Sequence, residues 1–110
     1  MEKFTQILKN NKYLFVIFSA DWCGPCRRIK PVIEDKSLIY KTVTFHNIKV
    51  DNDEEDIATF YKVNGIPTII VFKNQKEIGR IGGYCDVGNK IDKYVTRFKN
   101  INDSIELQTS

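Results

Sequence analysis

Cysteine, histidine, tryptophan and proline are scarce in this 110-residue chain: three cysteines, one histidine, one tryptophan and three prolines. Each shortage excludes something. An odd, small cysteine count argues against the paired disulfide framework of a secreted mini-protein. His46 is the sole histidine, and Cys85 is the one cysteine outside a close pair. A four-ligand zinc site therefore finds no partners at ligand-like spacing, and no metal is expected. Long apolar runs are absent as well. The run from Tyr13 to Phe18 is far short of a membrane span, and no secretory h-region, retention signal or lipidation box is visible. Neither export nor membrane attachment is expected, and the cytoplasm is the expected location. Nor is charge of one sign concentrated. The net charge is +3 and Arg27-Arg28 is the only basic pair, which argues against nucleic-acid binding.

What is present reads as one α/β domain. With 42% hydrophobic residues, the length suits a single compact unit over residues 1–101, and 102–110 form a polar tail expected to fray. Phe4, Ile7 and Leu8 at i, i+3, i+4 predict a short helix over 3–9, broken at Asn10-Asn11. The apolar run 13–18 predicts a central strand covered on both faces. A helix over 27–40 follows, with Pro31 inside it. Residues 43–50 predict a second strand. The acidic stretch Asn52 to Asp56 then caps a helix burying Ile57, Phe60 and Tyr61, with Asn64-Gly65 as a left-handed stop. Residues 68–72 and 77–82 predict an antiparallel hairpin across a polar turn at 73–76. Ile91, Tyr94, Val95 and Phe98 define a last helix, capped near Asp86. One mixed sheet between helices results.

The chemistry gathers at Trp22-Cys23-Gly24-Pro25-Cys26, where the central strand hands over to a helix. That junction puts the first thiol at the helix start and the second one turn in. Backbone N–H groups and the helix dipole there favour a thiolate. The spacing brings both sulfurs within bonding reach, so the pair can alternate between dithiol and disulfide. A structural crosslink between residues so close removes little chain entropy and stabilises weakly. Gly24 leaves the approach to Cys23 open, and Pro25 is tolerated at a helix start while stiffening it.

The stretches from Phe18 to Cys26, with Pro31, Val50-Asp51, Gly65-Ile66-Pro67-Thr68, Phe72-Lys73-Asn74 and Gly83, resemble a thioredoxin over nearly the whole chain. The resemblance implies a thioredoxin-like fold and protein-disulfide reductase activity. It implies that Cys23 is the attacking thiolate and Cys26 the buried resolving thiol, with Trp22 flanking the disulfide. Pro67 would be a cis-proline facing the pair, the backbone of Ile66 would pair with an extended substrate, and Gly83 would leave room beside it. No cofactor is bound in such proteins; electrons come from an NADPH-dependent thioredoxin reductase, and the other partners are disulfide-containing proteins. A monomer is expected. Gly24-Pro25 accompanies reducing members of the superfamily. Thioredoxins lie near about −270 mV and a strongly oxidising relative near about −120 mV, roughly 7 kcal/mol for two electrons, enough to set the direction of electron flow.

Two departures stand out. The family places an aspartate beneath the pair at the position of Ile17, where it assists proton transfer with the resolving thiol. Lys30 and ordered water are candidates to replace it. The chain before the first helix is also too short for the family's opening edge strand, so about four strands are expected. Cys85 reads as a small thiol, buried or partly exposed, His46 carries no role, and Arg27 and Arg28 read as solvated. The rival reading is a thioredoxin-like scaffold subunit whose redox activity is incidental.

Overall fold

Strand β1 (Tyr13–Ser19) is apolar from Tyr13 to Phe18 because both its faces are covered. Phe15 and Ile17 enter one core cluster with Ile29, Val71 and Ile91, whereas Leu14, Val16 and Phe18 enter another with Phe4, Ile70 and Phe72. A computed structural model describes the backbone of residues 1–109 and the side chains of residues 1–98. In it β1 pairs parallel with β2 (Thr44–Lys49) and antiparallel with β3 (Thr68–Lys73), which pairs in turn with β4 (Lys76–Gly82). The order is β2-β1-β3-β4, a four-stranded mixed sheet with β2 and β4 at its edges. The expected fold class and strand number are what the structure shows.

Helices α1 (Glu2–Asn10) and α3 (Ile57–Phe60) cover one face, through Phe4 and Ile57. Helices α2 (Gly24–Ile39) and α4 (Val87–Thr109) cover the other, through Ile29 and through Val87, Ile91, Val95 and Phe98. Four buried side chains on α4, at roughly 1.5–3 kcal/mol each, outweigh any polar contact that holds this helix. Side chains from residue 99 onward lie outside the described residues, and the backbone of the expected tail continues α4 as far as Thr109.

Local chemistry sets the element ends. Asn11 Nδ2 donates to the Ile7 carbonyl at 2.8 Å and closes α1. The β3–β4 turn holds Asn74 and Gln75 at φ 51° and 71°, as a type I′ hairpin requires of both central residues. Helix α2 starts three residues before the expected position and runs through Pro31. Proline lacks only one donor, and the apolar pattern continues past it.

The segment after β2 departs from expectation. A 3₁₀ turn at Val50–Asn52 precedes α3, which has only four residues, and Phe60 is 63% exposed rather than buried. Within the expected capping stretch it is Asp53 that serves this helix; its carboxylate accepts from the N–H groups of Ile57 and Ala58 at 3.0 and 2.7 Å. The left-handed stop is Lys62 at φ 57°, not Gly65. Lys62 N–H donates to Thr59 O and Val63 N–H to Ala58 O, the Schellman pattern. The helix ends early because Val63 packs against the core cluster that holds Ile57.

Asp92 of α4 ties that helix to α2. It accepts from Lys36 Nζ and from the Tyr40 hydroxyl at 2.5 Å, and the Lys36 ion pair closes to 2.8 Å. The Lys36 hydrogen bond, then that of Tyr40, hold its carboxyl below the ordinary value of 3.8. A depressed folded-state pKa stabilises above the unfolded value and is lost as pH falls through the folded one. Replacing Asp92 by Asn is expected to lower stability at pH 7 by about 0.5–1 kcal/mol, since the pair is partly screened by water. Chemical denaturation from pH 7 to pH 2 checks this: the gap between variant and wild type closes below about pH 4, and a constant gap refutes the linkage.

Candidate active site

Beyond Ser19, the last residue of β1, Ala20 is buried, Asp21 and Trp22 turn out to solvent, and Cys23 becomes the N-cap of α2 with extended backbone. Gly24 and Pro25 form the first helical positions, where a missing N–H costs nothing. This turn carries Cys26 back under Cys23, and the two form a disulfide. The Cys26 N–H donates to Cys23 Sγ at 3.3 Å, so sulfur does the work of a capping oxygen. No acidic residue lies in the first turn of α2 to oppose negative charge there.

The two sulfurs differ in what they face rather than in area. Cys23 is 5% exposed and Cys26 6%, so the expected contrast of an exposed and a buried sulfur is absent from the disulfide form. Ala20 and Cys23 pack with Cys26 against Val50 and Ile66, and the bond itself closes both sulfurs into that contact. Cys23 Sγ lies 3.9 Å from the Ile66 carbonyl oxygen. The Ile66–Pro67 peptide is cis, and the Pro67 carbonyl accepts from Gly83 N–H at 3.0 Å. Gly83 sits at φ 74°, a left-handed conformation strained for any residue with a Cβ. Residues far apart in sequence thus converge on one surface: Cys23, Ile66, Pro67 and Gly83. Trp22, 67% exposed, stands beside it, and Gly24 is open to solvent.

Cys26 faces the other way, into a cleft of about 440 Å³ that Ile17, Ile29 and Phe45 also line. Ile17 is 4% exposed; nearby, Ser19 Oγ donates to Asn47 Oδ1 at 2.9 Å, and Lys49 Nζ meets Asp21 at 2.8 Å. Lys30 lines the same cleft. One residue at the site had no motif to announce it. Arg28 lies over the Tyr84 ring at 5.2 Å, linking α2 to the loop after Gly83 rather than standing free in solvent. Val50 packs under the pair as an ordinary β-branched residue. Cys85 is exposed and unbonded. His46 is partly buried, which pushes its pKa down and keeps it neutral near pH 7. Among the described residues, no group of His, Cys, Asp and Glu is arranged to hold a metal.

The family profile described as Thioredoxin matches residues 1–97. The chain belongs to the thioredoxin family. Thioredoxin H2 of Arabidopsis thaliana is 44% identical over 81 residues, 73% of this chain and 59% of that protein. Thioredoxin-1 of Saccharomyces cerevisiae is 37% identical over 81 residues, 74% of this chain and 78% of that one. Among solved structures, oxidised mitochondrial thioredoxin 3 of S. cerevisiae superposes with a TM-score of 0.78 at 30% identity, covering 87% of this chain and 88% of its own. Thioredoxin NaTrxh of Nicotiana alata gives 0.77 at 31% identity, covering 87% and 84%. Thioredoxins are thiol–disulfide oxidoreductases that need no bound cofactor, and Cys23–Cys26 is the redox-active pair of this one.

The cap geometry carries a consequence for the reduced protein. Cys23 receives the Cys26 N–H at the positive end of α2. Its thiol is expected to titrate below the ordinary value of about 8.5, and before Cys26. Thiolate absorbance near 240 nm on a Cys26→Ser protein measures it directly. A titration at or above that ordinary value would show that the helix end does nothing for the sulfur.

Proposed function

We infer that the chain acts as a protein-disulfide reductase, with Cys23 as nucleophile and Cys26 as resolving thiol. The observation that carries this reading is the hydrogen bond from Cys26 N–H to Cys23 Sγ at the start of α2. It favours the thiolate on Cys23, because Cys23 Sγ accepts this N–H at the helix end and no hydrogen bond to Cys26 Sγ is present among the described residues. The Cys23 thiolate attacks one sulfur of a substrate disulfide; a Cys23–substrate bond forms as the substrate bond breaks, and the other substrate sulfur leaves as thiolate. Cys26, deprotonated, then attacks Cys23 sulfur. The Cys23–Cys26 bond forms, the second substrate sulfur leaves, and two electrons have passed to the substrate.

The surface of Trp22, Ile66, Pro67 and Gly83 supports a role in holding an extended substrate segment beside Cys23. Regeneration by an NADPH-dependent thioredoxin reductase, protein disulfides as substrates, a monomeric state and a reducing, cytoplasmic setting all follow the same reading. The scaffold alternative has less support, because the cap, the pair and the proline face are all intact.

Trapping tests the roles. A Cys26→Ser protein is expected to accumulate covalent adducts with disulfide-bearing proteins, and a Cys23→Ser protein is not; equal trapping by both overturns the assignment. Scaffold function would survive loss of both cysteines.

Ile17 leads to a separate expectation. Cys26 has no carboxylate beneath it, so its proton leaves slowly. Placing one there with Ile17→Asp is expected to speed reduction of a model disulfide severalfold at pH 7 while costing about 2–4 kcal/mol, since a charge is buried at a core position. Stopped-flow turnover and urea unfolding read the two effects. A destabilised variant that turns over no faster removes the proton-transfer explanation.

A further inference from the structure

The cleft beside Cys26 has two unlike ends, and strand register says which is which. Ser19 pairs with Lys49, Ile17 with Asn47 and Phe15 with Phe45 in the parallel β1–β2 ladder. Ser19 and Lys49 therefore mark the end where α2 begins, with Cys26, Arg27 and Lys30 in its first two turns. Phe45 and Ile33 mark the far end, with Ile17 and Ile29 between. One end is polar and the other apolar.

The polar end is also positive. Lys49, Lys30 and Arg27 all hold the Asp21 carboxyl below its ordinary value, Lys49 most strongly. Three cations thus converge on one exposed carboxylate. Lys49 is paired with it at 2.8 Å. Arg27 donates its Nε to the backbone carbonyl of Asp21 at 3.1 Å and forms no ion pair among the described residues. Lys30 makes no hydrogen bond or ion pair among the described residues. Glu34 is the one other carboxylate on the rim, a helical turn beyond Lys30.

We propose that this cleft is a binding site for an amphipathic monocarboxylate, its apolar chain laid over Ile17, Ile29, Ile33 and Phe45 and its head group held by Lys30 and Arg27 beside Cys26. The volume, about 440 Å³, falls within the usual range for small-molecule sites of about 300–1,000 Å³. From the Lys49 rung to the Phe45 rung is four residues of strand, about 13 Å, which holds a chain of roughly six to eight carbons. Apolar contact supplies most of the affinity, and the cations choose the sign and direction of the ligand. Cys23, Trp22 and Pro67 do not line the cleft, so the ligand leaves the substrate surface open. The site does not depend on which cysteine attacks first.

The test titrates hexanoate into the oxidised, full-length protein with labelled isoleucine methyls, at constant pH and ionic strength. Methyls of Ile17, Ile29 and Ile33 are expected to shift together along one saturating curve, while Ile57 and Ile70 on the opposite face stay still. Hexanol and hexylammonium are expected to bind more weakly than hexanoate. Lys30→Gln, an exposed change that leaves the fold alone, is expected to weaken hexanoate about two- to fivefold, the range of an exposed ion pair, without weakening hexanol. Shifts that do not saturate, that spread over both faces, or that are as strong with hexylammonium overturn the proposal. Because no turnover is measured, failure here leaves the reductase assignment untouched, and failed trapping leaves this site untouched.

Discussion

One backbone N–H fixes the polarity of the active site. Cys26 gives its N–H to Cys23 Sγ across the first turn of α2, and everything nearby serves to keep that turn in place. Strand β1 delivers Cys23 to the helix start from the middle of the sheet, where neighbours on both sides leave it no freedom. Pro25 brings no N–H to be left unpaired in the first turn, and α2 is then clamped along its length by Ile29 in the core and by Lys36 and Tyr40 on Asp92. A cap worth about 1 kcal/mol in an ordinary helix gains chemical meaning because the capping atom is sulfur, whose ionisation that contact favours.

The substrate surface is a product of topology rather than of local sequence. Ile66 and Pro67 lie just before β3, whose partner β4 ends at Gly82. Antiparallel pairing puts Thr68 opposite Gly82, so the residues immediately beyond each must meet. The bond from Gly83 N–H to Pro67 O records that meeting. The order β1-β3-β4 then sets these loops at the end of the sheet where β1 releases the cysteine pair. Arg28 against Tyr84 adds a strut between helix and loop. Hence a face of five or so residues is assembled from three separate stretches, each held by the sheet.

Much of this was legible in the chain. The apolar run at β1 could only be an inner strand, the hairpin announced itself by a polar turn, and the pentapeptide at 22–26 named its own chemistry. Four things were not legible, each for a physical reason. The shortness of α3 depends on Val63 reaching the core and on Asp53 capping from four residues away, both tertiary facts. Phe60 fits an apolar helical face in sequence, yet the early exit at Lys62 leaves it in water. Arg28 looked solvated because nothing in a sequence says that Tyr84 lies within reach. The near-equal enclosure of Cys23 and Cys26 was hidden too, since position along a helix does not report the surface left after a bond forms between them.

Ile17 links the two sides of the pair. A reductase of this design needs Cys26 to shed a proton, yet the residue closest in the ladder to that need is aliphatic, and its cross-strand partner is the neutral Asn47. A carboxylate and a cation at those two positions would bridge β1 and β2 and fill the space between them with charge. Apolar and amide side chains instead leave that space open as a cleft lined by Cys26 itself. The same substitution that deprives the resolving thiol of a built-in base therefore gives it a route to solvent and to small solutes, and makes the apolar wall that could hold one. Because the cations of Arg27, Lys30 and Lys49 stand at the cysteine end, solutes with a negative head are drawn toward the sulfur and neutral or positive ones are not. Cys23 itself does not line this cleft; its Sγ lies beside the Ile66 carbonyl.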